Sequence, residues 1–296
     1  MELYPLGFRV TLLTDSRDVV RAAEESWGRS RQEFDGPPLE LRVTVSPGGS
    51  QAADPAFHID GHLLSIVSDR DNHAVADLDR LQASCHVTST AVADRAWFRW
   101  FFLDALILSL LAQKHTVPVH AGCVARAGSG VLLFGASGAG KSTLAWACAR
   151  AGWNLVSDDA AWLLPASAVA IGRPQQVRLR PDAPRHFPEL AGLQPHTRPN
   201  GKLSIEIRTH DFPAVRTASH APVERIVFLD RRDAAPAMDA VPPETALAEM
   251  LRDCVPYRYE VHARHAETVR RLSHLPAYRM RYRSSDEAVG LLSSSW

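Results

Sequence analysis

Residues 135–143 read Gly135-Ala136-Ser137-Gly138-Ala139-Gly140-Lys141-Ser142-Thr143, which fits the phosphate-binding pattern G-x-x-x-x-G-K-[ST]. An apolar run at 131–134 precedes this stretch and predicts a buried strand. The segment 144–150 follows it and predicts a helix that ends near Gly152. Because the pattern binds phosphate only between a strand and a helix, these flanks favour a phosphate-binding loop over a chance glycine-rich turn.

This loop suits a nucleoside triphosphate. Its glycines allow a tight turn that points backbone N–H groups at phosphate oxygens. The helix that follows adds a partial positive charge at its N-terminus. Lys141 is predicted to reach the terminal phosphates, and the Ser142 hydroxyl is predicted to ligate Mg²⁺. We therefore expect ATP and Mg²⁺ as cofactors, with all the residues of 135–143 binding the nucleotide.

Composition argues against several classes of partner. Apolar residues make up 46% of the 296 residues, so the chain can bury a sizeable core. The 33 basic and 33 acidic residues balance, so no net charge attracts nucleic acid or an anionic membrane. The most apolar stretch, 97–111, is short for a membrane span and contains Arg99 and Asp104. We predict that it forms a buried helix.

The N-terminus and the cysteines predict a cytoplasmic location. Residues 1–5 lack the charged and then apolar pattern of a secretory signal. The sequence contains no C-x-x-C pair, so we expect neither a zinc site nor a disulfide framework. Buried free thiols in a reducing compartment are expected at Cys85, Cys123, Cys148 and Cys254.

The pattern of elements predicts an α/β chain in two parts. Residues 1–94 predict a small N-terminal α+β module, with a helix at 19–27, an alternating strand at 39–45 and a hairpin at 57–67. Residues 95–296 predict the catalytic domain that contains the phosphate-binding loop.

The second part predicts a mixed sheet. A helix at 95–114 leads into a strand, 117–125, that carries His120. After the loop and its helix, a further strand at 153–159 ends in two carboxylates. Strands outnumber helices between residues 117 and 230, which favours a mixed sheet over an alternating, doubly wound one.

The two carboxylates, Asp158 and Asp159, are candidate catalytic residues. Asp158 lies 17 residues after Lys141, which leaves room for a helix and a returning strand and predicts that the pair ends beside the loop. Carboxylates there can hold Mg²⁺ or accept the proton of an attacking hydroxyl. His120 is the candidate to orient one of them. Alternatively, the pair caps the next element and His120 is an ordinary strand histidine.

Three segments together resemble the catalytic domain of HPr kinase/phosphorylase, whose core is shared with phosphoenolpyruvate carboxykinases. They are 120–122, with the sequence HAG, the loop residues 135–142, and 152–159, with the sequence GWNLVSDD. The resemblance covers about residues 115–230 and implies a mixed-sheet core of that kind around the P-loop. The loop alone is common to many families, whereas histidine, loop and Asp pair together are much more specific.

The resemblance also implies roles for single residues. It implies that Asp158 is the general base, that Asp159 and Ser142 lie near the metal, and that His120 supports the acidic pair. An arginine-rich segment, 173–180, stands where the family has a metal-binding glutamate, and the first part of the chain does not resemble the family's regulatory domain. Phosphorylase activity and HPr as substrate are therefore not expected. The layout is closer to the HPr-kinase-related proteins of bacterial peptide-modification systems, which include kinases for a C-terminal serine of lasso-peptide precursors.

Basic residues after the Asp pair predict a wall for the substrate. Phosphoryl transfer needs positive charge for the migrating group and for acidic substrate groups. In a strand at 177–179, Arg178 and Arg180 share a face, which makes both candidate catalytic residues. A solvated charged edge is the alternative. The basic residues of this predicted wall are Arg173, Arg178, Arg180, Arg198 and Lys202.

Two further features have weaker chemical meaning. Asp230 ends an apolar strand, as a carboxylate does in P-loop ATPases, but the earlier Asp pair favours a structural role for it. His262 and His265 are three residues apart on a predicted helix, a spacing that metal ligands use, and no third ligand accompanies them.

The sequence thus predicts an ATP-dependent kinase that phosphorylates a hydroxyl, in the first place a serine, on a small protein or peptide. Asp158 would take the hydroxyl proton, while Lys141, Mg²⁺ and nearby arginines spread the developing charge. Two alternatives stay open: a kinase of a free metabolite, and a nucleotide-switched ATPase or binding module. Assembly into a homo-oligomer stays open as well.

Overall fold

The computed structural model describes residues 1–28, 30–49, 52–252 and 259–294. The chain divides into two compact units, Met1–His115 and Thr116–Trp296. The boundary expected between residues 94 and 95 differs from this division. The helical segment that follows residue 94 contacts a helix and a strand of the first unit and belongs to it.

The first unit contains a seven-stranded sheet in the order β1-β2-β3-β7-β6-β5-β4 and a set of helices. The helix, strand and hairpin expected in this region all occur, and the two strands β6 and β7 were not predicted. Its elements are β1 (Glu2–Leu3), β2 (Val10–Leu13), α1 (Arg17–Trp27), β3 (Leu39–Ser46), β4 (Ala56–Asp60), β5 (Leu63–Val67), β6 (His73–Asp77), β7 (Gln82–Thr88), α2 (Ser89–Ala93), α3 (Arg95–Phe98), a π-helical turn (Arg99–Asp104) and α4 (Ala105–Lys114).

The run from α3 through the π-helical turn to α4 is the buried helix that the sequence predicts. The two charged residues within its apolar stretch 97–111, Arg99 and Asp104, have partners in the same unit. Trp27 Nε1 donates to Asp104 Oδ1 at 3.0 Å, and Arg99 lies 3.4 Å from the Glu25 carboxylate. Among the described residues it is the one helix long and apolar enough to cross a membrane, but 56% of its apolar window is buried. These features are those of a helix that packs in the core of its unit.

The second unit holds the glycine-rich loop and consists mainly of strands. Cys254, expected as a buried free thiol, lies outside the described residues. The elements are β8 (Val117–Val119), β9 (Gly122–Arg126), β10 (Ser129–Phe134), α5 (Lys141–Arg150), β11 (Asn154–Ser157), β12 (Ala161–Leu163), β13 (Val169–Ile171), β14 (Gln176–Leu179), β15 (His196–Thr197), β16 (Leu203–Arg208), β17 (Arg216–Thr217), β18 (His220–Arg231), β19 (Ala237–Ala240), α6 (Pro243–Arg252), α7 (Tyr259–Leu272), β20 (Ala277–Tyr282) and α8 (Ser285–Ser294).

The main sheet of this unit is mixed, as predicted. Its order is β17-β11-β9-β10-β18-β13-β12-β8, with β20 beside β18 and β19 beside β20. Strands β10, β18 and β20 run parallel as neighbours, while β9 lies antiparallel between β10 and β11. The carboxyl ends of β10, β11, β18 and β20 therefore meet at one edge of the sheet, where β9 begins.

Helices cover both faces of this sheet. Along β10, Val131 and Leu133 pack in a cluster with residues of α5 and α8. The alternate residues Leu132 and Phe134 pack in a second cluster with residues of α6 and α7. This alternation explains why 131–134 is a continuous apolar run, since a strand buried on both faces needs apolar side chains throughout.

One predicted strand was wrong. The segment 117–125 is two strands, because β8 pairs with β12 whereas β9 pairs with β10 and β11. Between them the Ala121 N–H donates to the Val119 carbonyl at 3.0 Å, which turns the chain sharply at His120. His120 therefore lies at the break and not inside a strand.

Gly172 fixes how closely the chain after β13 approaches β11, the strand that leads to the Asp pair. A Cβ atom at Gly172 would lie 1.8 Å from the Val156 carbonyl oxygen, and backbone atoms cannot yield by that amount. We expect Gly172→Ala to destabilise the protein by about 3 kcal/mol or more, the scale of severe overpacking.

The matched control is Gly290→Ala, in α8, where a Cβ meets no atom within 4 Å. Because alanine favours a helix over glycine, this variant should gain roughly 0.5–1 kcal/mol. Urea unfolding of both variants measures the difference. Equal stability of the two variants would contradict the close approach of Gly172 to β11.

Candidate functional site

The glycine-rich loop joins β10 to α5, as the sequence predicts. Gly138 and Gly140 have φ angles of 88° and 101°, a region that side chains disfavour. Helix α5 begins at Lys141, and its N-cap residue Gly140 supplies no side-chain hydrogen bond. The first N–H groups of α5 therefore have no side-chain cap and can bind an anion.

Lys141 connects the loop to His120. Its side chain is buried, and its Nζ donates to the Gly135 carbonyl at 2.8 Å and lies 3.0 Å from His120 Nε2. Because an ammonium group only donates, Nε2 accepts, and a neutral imidazole then carries its proton on Nδ1. That Nδ1 lies 3.6 Å from Asp159 Oδ1. His120 thus lies between the lysine of the loop and the acidic pair.

The strand order explains this meeting. The loop follows the carboxyl end of β10, and the Asp pair follows the carboxyl end of β11. Because β9 is antiparallel to both, His120, just before β9, lies at the same edge. A Cβ atom at Gly122 would lie 3.2 Å from the Asp158 carbonyl oxygen, so the first residue of β9 passes close to the acidic pair.

Asp158 has the properties of a base. Its Oδ2 accepts a hydrogen bond from the Arg178 backbone N–H at 2.8 Å. Asp158 is partly buried where it lines the cleft, and desolvation raises its pKa to about 6. The N–H group and charge of Arg178 lower the pKa, and the charge of Asp159 raises it further. Such a carboxyl is ionised at neutral pH and is basic enough to accept a proton.

A cleft of about 410 Å³ brings most of the predicted site residues together. It includes both members of the Asp pair and four of the five predicted basic residues, whereas Gly135, Ala136 and Ala139 do not line it. His120 does not line the cleft, but it contacts Lys141, which does. The predicted residues that line the cleft are Ser137, Gly138, Gly140, Lys141, Ser142, Thr143, Asp158, Asp159, Arg178, Arg180, Arg198 and Lys202.

Arg178 and Arg180 both face this cleft, as their spacing predicts. A Cβ atom at Gly138 would come within 2.5 Å of an Arg180 guanidinium nitrogen, so Arg180 lies directly against the loop. Arg178 lies 3.5 Å from the Glu206 carboxylate on the paired strand β16. Arg180 therefore lies against the loop, and Arg178 lies beside Asp158.

Other candidates lie elsewhere. Arg173 does not line the cleft. Asp230 forms an ion pair with Arg232 at 2.9 Å, in line with the structural role expected for it. His262 and His265 lie on α7, and no group of three His, Cys, Asp or Glu residues that could hold a metal occurs among the described residues.

The described cysteines are free and buried, as predicted. Burial raises the pKa of the Cys123 and Cys148 thiols to about 12 and raises that of Cys85 as well. Protonated thiols of this kind are inert. They have no part in the site.

Tyr282 contacts the loop and was not anticipated from the sequence. Its hydroxyl donates to the Ala139 carbonyl at 3.0 Å and would lie 3.1 Å from a Cβ atom on Gly140. The residue is buried, and desolvation raises its pKa to about 12, so it stays a donor.

Tyr282 ends β20 and Arg231 ends β18, so knowledge of the strand pairing would have placed both at this edge. The cleft residues that sequence reasoning missed are Leu179, Asp182, Ala183, His186, Leu203, Ser204 and Arg231.

Residues 76–171 match the family described as SynChlorMet cassette protein ScmC. The match covers less than half of the chain and includes the loop and the Asp pair. No curated protein matches the chain. Among solved structures, the Hpr(Ser) kinase/phosphatase from Coxiella burnetii is similar over 60% of this chain and 89% of that chain, with 12% identity and a TM-score of 0.30. Similarity at this level assigns no activity, so any function has to be inferred from the residues of the cleft.

Tyr282→Phe tests whether this hydroxyl holds the loop in its phosphate-binding shape. Loss of one hydrogen bond should weaken the affinity for an ATP analogue by about threefold to tenfold, because one bond contributes roughly 1 kcal/mol. Isothermal titration with the analogue measures the change. Tyr278→Phe, on the same strand, is the control and should bind normally. Equal affinities of the two variants would contradict the role of Tyr282.

Asp158→Asn should change stability in a pH-dependent way. The pKa of Asp158 is raised in the folded state, so its ionisation costs stability. This cost grows as the pH rises from about 4 to about 6 and is fully present above that range. The neutral amide avoids this cost. We expect the variant to melt roughly 2–5 °C higher than the parent at pH 8 and at the same temperature at pH 4. The exposed Asp54→Asn should show no such difference. A shift of equal size at both pH values would contradict the raised pKa.

Proposed function

We propose that this chain is an ATP-dependent phosphotransferase, which moves the γ-phosphoryl group of ATP to the hydroxyl of a serine in a small protein or peptide. One observation carries the proposal: Lys141, at the uncapped start of α5, and Asp158, a carboxyl with a raised pKa, line the same cleft. The first supplies charge for a triphosphate and the second a base for an acceptor.

The loop fits the phosphates of a nucleotide. A phosphate-binding loop provides three features, and all three occur here. They are glycines with positive φ, N–H groups at the start of a helix without a side-chain cap, and a buried lysine. Ser142 and Asp159 would hold Mg²⁺, which would offset the charge of the phosphate oxygens. Mg²⁺ takes one or two protein ligands beside phosphate and water, so it needs no group of three acidic or imidazole side chains.

The proposed reaction is a direct transfer. The acceptor oxygen attacks the γ-phosphorus, the bond from that phosphorus to the β–γ bridging oxygen breaks, and ADP leaves. The hydroxyl proton passes to Asp158. Lys141 and Arg180, which lie at the loop, offset the negative charge that builds up on the transferred group. His120, which contacts Lys141 and Asp159, keeps the lysine and the acidic pair in position.

The choice of acceptor rests on the sequence. The motifs at 120–122, 135–142 and 152–159 resemble those of kinases that act on peptide and protein serines. The balanced charge of the chain supports a partner other than nucleic acid or an anionic membrane. A small protein or peptide is therefore the acceptor we propose.

Asp158→Asn should stop phosphoryl transfer and leave nucleotide binding intact. Loss of a general base typically lowers the rate about 10²–10⁴-fold, whereas the loop that binds ATP is unchanged. The assay follows label from γ-labelled ATP into the peptide and metabolite pools of a host extract, and a fluorescent ATP analogue reports binding. Asp182→Asn, which removes a different carboxylate of the same cleft, is the control and should retain transfer.

Three outcomes contradict parts of the proposal. Retained transfer by Asp158→Asn removes that residue from the role of base. If label enters only free metabolites, the acceptor is a small molecule and not a peptide. Release of ADP and free phosphate with every acceptor pool makes the chain an ATPase.

A further inference from the structure

The cleft has a second polar wall, formed by the three-stranded sheet β14-β16-β15. One face of this sheet is apolar and packs in the core through Val177, Leu179, Ile205 and Ile207. Because side chains alternate along a strand, the opposite face carries Arg178 on β14. Its register partner Glu206 on β16 shares that face, and so does Ser204, two residues earlier.

Positive charge is concentrated on this wall. Arg178 and Ser204 line the cleft, as do Arg198 and Lys202 in the turn that joins β15 to β16. The Arg198 backbone N–H donates to the Lys202 carbonyl at 3.0 Å, which closes this turn. Three cations thus lie on one wall, and Glu206 offsets part of their charge through its contact with Arg178.

Arg178 and Arg198 lie close enough to repel each other. Burial and the charge of Arg178 lower the pKa of the Arg198 guanidinium, and the charges of Asp159, Asp158 and Glu206 oppose that effect. Two partly buried arginines side by side are a common arrangement for an oxyanion, because a guanidinium matches the geometry of carboxylate and phosphate oxygens.

Ser204 supplies an independent observation. The residue is 5% exposed and lines the cleft, and its hydroxyl oxygen has no hydrogen-bond partner among the described residues. Buried hydroxyls in native proteins nearly always have such a partner, so this one calls for a physical reason. A ligand oxygen beside the two arginines would provide it. Because the hydroxyl is covered in this arrangement, a neighbouring side chain must move as the ligand binds.

We propose that Ser204, Arg178 and Arg198 form a second oxyanion subsite, which seats a carboxylate or phosphate group carried by the phosphoryl acceptor. This inference rests on the proposed function, since it assigns the loop to ATP and this wall to the acceptor. Arg178 also donates its backbone N–H to Asp158, so the subsite directly adjoins the base. The acceptor is then a hydroxyl compound or serine segment with a negative group close to its hydroxyl.

The test separates the two anion sites. The protein is first saturated with Mg²⁺ and the non-hydrolysable β,γ-imido analogue of ATP, which occupies the loop. Inorganic phosphate is then titrated in one arm and succinate in the other, with heat release as the readout. We expect at least one anion to bind at millimolar concentration or below, and the tighter arm identifies phosphate or carboxylate as the group recognised.

Variants assign the binding to this wall. Arg198→Gln should weaken anion affinity about tenfold or more, and Ser204→Ala about fivefold, the scale of a charged and a neutral hydrogen bond. Neither should change the affinity for the ATP analogue by more than about twofold. Arg208→Gln, on β16 but outside the cleft lining, is the matched control and should bind the anion normally.

The outcomes are distinguishable. If neither anion binds the nucleotide-loaded protein, or if the variants bind like the parent, the subsite is wrong while the kinase proposal stands. If the ATP analogue itself does not bind, the proposed function fails. In that case the anions are titrated into the nucleotide-free protein and its variants. Weaker anion binding by Arg198→Gln and Ser204→Ala than by Arg208→Gln would still support the subsite, and equal binding by all of them would overturn it.

Discussion

The antiparallel strand β9 between β10 and β11 is the constraint on which the site depends. Because β9 reverses direction, it begins at the edge where its two neighbours end. His120, just before β9, therefore comes within 3.0 Å of Lys141 and 3.6 Å of Asp159. With a parallel strand in this place, the histidine would lie at the far edge of the sheet, and the lysine and the acidic pair would have no common contact.

Desolvation and charge act against each other at this edge. Burial disfavours the ionised form of Asp158, while the Arg178 N–H group and charge favour it, and the balance leaves the pKa near 6. The same balance gives the carboxyl a cost in stability and suits the role of base proposed for it, because a fully solvated aspartate would be a weaker base. Arg178 therefore opposes the effect of burial and favours the ionised form of Asp158.

Local patterns predicted most of the site, and non-local pairing decided the rest. The loop and its flanking strand and helix follow from residue types within a short stretch, and so does the strand before Asp158. The break at His120 depends on β8 and β9 having different partners. The positions of Tyr282 and Ser204 depend on pairings between distant segments. Neither the break nor these two positions can be predicted from nearby residues, because the sequence of a strand does not specify which strand it pairs with.

The central claim is that the loop holds the triphosphate of ATP with its outermost phosphorus facing Asp158. The most direct measurement is a crystal structure of the protein with Mg²⁺ and a non-hydrolysable ATP analogue. We predict the triphosphate on the N–H groups of 138–143, with the γ-phosphorus roughly 5–6 Å from the Asp158 carboxylate, which leaves space for one hydroxyl between them. Phosphates bound elsewhere, or an Asp158 carboxylate turned away from the γ-phosphorus into solvent, would contradict the account.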